Sequence, residues 1–167
     1  MKALKITILA ALMAFTINLT ANAQANEAIN SVIANYLALK DALAKNDGTT
    51  AAGKAKILLA SISNVSVKGM SSDQATTWTK YEPKLEFDSR HISEVTLIPH
   101  QREHFASLSN NLYAVLKALK VNNSVLYRQY CSMTKRYFLS NTSSGIDPYM
   151  GMDNCSKVVE TLPPAKK

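Results

Sequence analysis

Sulfur is concentrated near the C-terminus of this chain, where "CSM" supplies Cys131 and Met133 and "YMGMDNC" supplies Met150, Met152 and Cys155. Thiolates and thioethers are soft ligands suited to Cu(I). The C-x-M and M-x-M spacings place alternate side chains on one side of an extended segment, so two such arms folded together would present several sulfurs to one ion. The same cysteines have a plainer use. A disulfide between Cys131 and Cys155 would stabilise a loop-rich end by about 3 kcal/mol through lost unfolded-state entropy. Two free cysteines are the third reading, and methionine fills cores more often than it ligates metals. A bridged cysteine is no thiolate ligand, so staple and metal site exclude each other at any moment but can alternate with redox state.

A second group lies in "IPHQREHFASLS", where His100 and His104 stand four residues apart with Glu103 beside the second. On a helix this spacing puts both imidazoles on one face, where they can offer nitrogens to a single Zn²⁺ or Cu(II). H-x-x-E-H also matches the inverted zinc-peptidase pattern, but a zinc enzyme needs a third protein ligand and an open coordination position. His91 is the only other histidine, and the acidic residues show no second motif. The plain alternative is the polar face of an amphipathic helix, with Arg102 pairing with an acidic neighbour and Gln101 idle. There is no G-x-S-x-G and no glycine-rich phosphate loop, so no enzyme is expected.

The elements that must hold these groups are mostly helical. Ile29, Val32, Ile33, Tyr36, Leu37, Leu39 and Leu43 recur at helical spacing from Glu27 to Lys45, and "NDG" at Asn46–Gly48 stops that helix. Thr49 or Thr50 is the expected cap of a second helix through Ala51, Ala55, Leu58 and Ile62. "SSD" before Gln74 opens a third helix, which Pro83 should delay, kink or break. Pro99 suits the first turn of a fourth, running through Phe105, Leu108, Leu112 and Leu119. After Val121 the β-branched and aromatic residues of "SVLYRQYCSM" and "RYFLSN", and later "SKVVETL", point to short strands, with turn formers between. The expected fold is mainly α: an antiparallel bundle of about four helices over residues 25–121, with a small irregular β appendage over about 122–162.

Charge and the N-terminus bound the function class. Lys2 and Lys5, the apolar run "ITILAALMAFTINL" and the ending "ANA" at Ala23 read as an export signal. Residues 24–167 then form a single domain in a periplasmic or secreted location, with no membrane span left. Losing Lys2 and Lys5 lowers the formal net charge from +7 to +5. The basic residues are scattered, without the stripe interleaved with aromatics that nucleic acid requires, so no nucleic-acid partner is expected.

The ordered series "YLALKDAL", "HQREHFASLS", "YRQYCSM", "YFLS", "IDPYMG" and "MDNC" resembles an exported bacterial domain family of unknown function, numbered three-three-four-seven in the DUF series. The family pattern carries Q-R-x-x-F on a helix, then C-P-M, W-L-S, N-P-Y and M-L-x-C-G. Gln101, Arg102 and Phe105 match the first motif; Cys131 and Met133 match C-P-M; Cys155 matches the last cysteine, with Met150 or Met152 before it. Ser132, Phe138, Asp147 and Ser156 stand where the pattern has proline, tryptophan, asparagine and glycine. Members occur alone or appended to periplasmic adaptors of heavy-metal efflux systems. The resemblance therefore implies handling of copper or silver, with an efflux adaptor as partner. It also implies that the helix carrying HQREH packs near the sulfurs through Phe105, with His100 and His104 as auxiliary ligands. The expected function is capture or transfer of Cu(I) or Ag(I) by Cys131, Met133, Met150, Met152 and Cys155; the alternative is a noncatalytic interaction module stapled by the two cysteines.

Overall fold

A computed structural model describes the backbone of residues 2–165 and the side chains of residues 23–165. The side chains of residues 1–22, on which the export-signal reading rests, lie outside the described residues. Four helices come first: α1 (Lys2–Ala44), α2 (Gly48–Ser63), α3 (Ser72–Glu94) and α4 (Ile98–Leu119). Three strands follow: β1 (Leu126–Cys131), β2 (Arg136–Ser140) and β3 (Ser156–Leu162). They form an antiparallel sheet with β1 in the centre, in the order β2-β1-β3. Mainly α with a small C-terminal sheet, this is the architecture the periodicity predicts. Among the described residues no helix is long and apolar enough to cross a membrane.

The helix ends are chemically specified. Asp47 caps α2, its carboxylate accepting from the Thr50 N–H at 2.9 Å and from the Thr50 hydroxyl at 2.7 Å. Those bonds hold its pKa below the usual aspartate value. The cap thus falls two residues before Thr49: a carboxylate is the better acceptor, and the Thr96 carbonyl sits where a Cβ on Gly48 would project. Ser71 and Gln74 form a reciprocal capping box on α3. Pro83 lies inside α3, which continues to Glu94 without a break. The proline forfeits one backbone bond, but the buried side chains of Trp78, Leu85 and Ile92 lie on both sides of it. Each contributes roughly 2 kcal/mol by leaving water, so packing outweighs local propensity. Pro99 occupies the first turn of α4, and Lys120 ends it in the left-handed conformation.

One apolar cluster runs from the bundle into the sheet, joining Tyr36, Leu39 and Leu43 to Phe105, Leu112, Leu126, Phe138 and Tyr149. At its centre Tyr36 is fully buried. Its hydroxyl donates to Ser109 Oγ at 2.8 Å and accepts the Leu139 N–H at 3.0 Å, while Ser109 donates onward to the Phe105 carbonyl. A single phenol thereby ties α1, α4 and β2 together. Burial pushes its pKa well above the usual tyrosine value.

Candidate functional site

The sheet register brings the two cysteines together. Cys131 closes β1 opposite Ser156, the first residue of β3, and Cys155 immediately precedes that residue. Their Cα atoms are 5.2 Å apart and the sulfurs are joined in a disulfide. Cys131 is buried and Cys155 half-buried. Neither is free, so the structure holds the oxidised form of the pair.

Asp147, which sequence reasoning left out of the site, lies beside the bridge. Its carboxylate and the two sulfurs all fall within 4.8 Å of one another, the one such group of three His, Cys, Asp or Glu residues among the described residues. Asp147 is fully buried and organises the sulfur-bearing loop. One carboxylate oxygen accepts the N–H groups of Tyr149 at 2.7 Å and Met150 at 3.0 Å, and the other accepts the Ser156 hydroxyl at 2.9 Å. The Asp147 N–H donates to the Met152 carbonyl, and the Asp147 carbonyl accepts from Gly151. An aspartate that bonds the backbone two residues on is a turn-builder, and Asp followed by Pro in "IDPY" is its signal in the sequence. The bond from Ser156 ties this loop to the first residue of β3.

The three methionines lie at the surface. Met133 sits in the turn between β1 and β2 and is 64% exposed, whereas Met150 and Met152 are 38% and 44% exposed. None is a core filler.

Arg102 of the HQREH segment faces this loop. It donates to the Pro148 carbonyl at 2.6 Å, to the Leu43 carbonyl at 3.0 Å and to Asn46 Oδ1 at 2.7 Å. Partial burial lowers its pKa, and the Asp147 charge opposes that shift. Arg102 therefore serves carbonyls and a nearby buried carboxylate rather than a surface acidic partner. Phe105 completes the contact, with its ring 5.2 Å from Tyr36 and 5.7 Å from Tyr149. The helix does pack on the sulfur-bearing end through Phe105.

Gln101, read from the sequence as idle, is fully buried. Its amide nitrogen donates to the carbonyls of Val95 at 2.7 Å and Gly48 at 2.9 Å, with Ile92 at 3.3 Å. It pins the start of α2 to the end of α3. A glutamine on the buried stripe of an amphipathic helix, one residue after His100, was the available sign.

His100 and His104 point the other way. Successive helix positions are about 100° apart, so residues two before and two after Arg102 lie nearly opposite it. They face α3, where His91 joins them: the His91 and His104 rings stack at 4.7 Å, and His100 meets His104 at 4.8 Å. The histidines and the sulfurs thus occupy separate faces of α4.

Fold and site together define a class: a four-helix bundle carrying a small antiparallel sheet closed by a disulfide beside a buried carboxylate. The chain belongs to the family described as protein of unknown function (DUF3347), whose pattern matches residues 32–124. The match spans the bundle and stops before β1. No curated protein and no solved structure matches the chain.

Proposed function

We propose that this is an exported metal-binding protein, periplasmic or secreted, that captures or passes on Cu(I) or Ag(I) when Cys131 and Cys155 are reduced. The supporting observation is the meeting of both sulfurs with the Asp147 carboxylate within 4.8 Å. Reduction by an external dithiol transfers two electrons to the bridge, leaving two thiols and an oxidised reductant. Each thiol then releases its proton on binding the ion. Two thiolates suit a soft monovalent cation, and the exposed thioethers of Met133, Met150 and Met152 supply soft ligands for entry and exchange. Both Asp147 oxygens already hold hydrogen bonds, so its role is to shape the loop and add negative charge that favours a cation. No reaction is involved: the ion is cargo, and an efflux adaptor of the kind the family resemblance implies is the proposed recipient.

A second reading has its own support. The bridge is formed in this structure and ties the central strand to an edge strand, as a structural staple in an oxidising compartment would. On that reading the protein is a noncatalytic interaction module. An anaerobic Cu(I) titration against a chromophoric chelator separates the two. One tightly held equivalent is expected for the reduced protein, and none for the oxidised protein or for Cys131→Ser, Cys155→Ser. If the reduced protein fails to compete, the carrier reading is wrong and the cysteines are structural.

A further inference from the structure

His91 from α3 and His100 from α4 each bring a ring against that of His104. The short link between α3 and α4 turns the chain back, so that the last turn of α3 lies against the first two turns of α4. All three imidazoles are half-buried. Phe87 walls the group, its ring 4.1 Å from His91 and 5.8 Å from His104.

The hydrogen bonds of two of these rings assign their tautomers. His91 Nδ1 lies 2.9 Å from the Phe87 carbonyl oxygen, which only accepts, so Nδ1 carries the proton. His104 Nδ1 lies 3.1 Å from the carboxylate of Asp88, which is itself buried. In the neutral ring each bond leaves the Nε2 lone pair free. A histidine that holds a metal through one nitrogen while its other N–H donates to a carbonyl or carboxylate is the usual arrangement of metal-bound imidazoles. His100 makes no hydrogen bond among the described residues, leaving its nitrogens open.

From this we infer that His91, His100 and His104 form a second metal site, for a borderline divalent cation such as Cu²⁺ or Zn²⁺, with Asp88 and the Phe87 carbonyl as positioning groups. Imidazole suits both ions, and Cu²⁺ is the tighter binder of the pair at a site of given ligands. As the structure stands, His91 and His104 stack, His100 meets His104 edge-on, and the ligating nitrogens of the three do not all fall within 4.8 Å of one another. Binding therefore requires the rings to shift about their side-chain torsions until the Nε2 atoms converge. The site uses neither sulfur nor Asp147, so it works with the disulfide closed and does not depend on the carrier reading.

The test uses protein with the disulfide intact, which removes thiolates from consideration. Cu²⁺ alone is titrated against glycine, and the bound ion is read by electron paramagnetic resonance. The expected result is one equivalent whose spectrum shows imidazole nitrogen coupling. His91→Gln and His100→Gln should each weaken it at least about tenfold, and Asp88→Asn about 10- to 100-fold with the coupling retained. Circular dichroism and thermal melting check that the variants fold, and the half-buried His91 and His100 give two independent substitutions. An unchanged equivalent in His91→Gln would overturn the three-histidine site, as would no equivalent in the wild type.

Discussion

Gln101 directs its amide protons at carbonyls from two other segments, with Val95 and Gly48 the nearest acceptors. Its replacement by leucine keeps a side chain of similar length but leaves those buried carbonyls without their donor. Leaving buried acceptors unpaired costs more than losing an average hydrogen bond. Gln101→Leu is expected to lower stability by about 3 kcal/mol, seen as a lower urea midpoint at unchanged slope. Asp147 is the equivalent organiser of the sulfur loop. In Asp147→Ala the Tyr149 and Met150 amides lose their acceptor, so their hydrogen exchange should accelerate while amides in the core of α1 stay protected. Uniform acceleration would mean that the loop does not open locally.

The loop and the bundle meet where the Gly151 backbone lies against the Asn46 side chain. Gly151 has a φ of +67°, and a Cβ placed on it would lie 2.5 Å from Asn46 Nδ2 in the turn between α1 and α2. Both the conformation and the space favour glycine. Gly151→Ala should cost more than about 1 kcal/mol, and Asn46→Ala in the same chain should recover the part due to the clash. Equal and additive losses from the two substitutions would show that the approach is not tight. Helix α3 teaches the opposite lesson about local rules. Pro83 lacks an amide donor, yet apolar residues before and after it keep the helix in one piece.

Across the whole molecule, the phenols of Tyr36 and Tyr149 link the bundle to the sheet and its loop. Burial raises the pKa of each above the ordinary value of 10.0. Unfolding returns them to water, where they ionise above pH 10. Above that pH the unfolded chain has released protons that the folded chain retains, so stability is present in full below it and falls as pH rises further. Melting temperature measured on an alkaline series should therefore drop beyond pH 10, with the part of the tyrosinate absorbance due to these two appearing together with the loss of helix. Absorbance rising ahead of unfolding for every tyrosine would contradict the burial of these two. Phe for Tyr36 should flatten part of that slope, at the cost of the Ser109 and Leu139 hydrogen bonds.

Four helices and a β-rich end follow from the sequence because apolar spacing, Ser71 before Gln74, Pro99 and the β-branched runs are local signals, written within a few residues of where they act. Cysteine and methionine types likewise name a soft-ligand or disulfide chemistry without coordinates. Which residues share a site is another matter, because it depends on contacts between segments far apart in the chain. Only the tertiary structure puts Asp147 beside the Cys131–Cys155 bridge, pairs it with Ser156, buries Gln101 among three carbonyls and turns Arg102 toward the loop. It also sends His100 and His104 away from the sulfurs and toward His91. A five-residue stretch such as HQREH specifies which side chains share a helix face. What each face meets is decided by how α4 packs between α3 and the sheet.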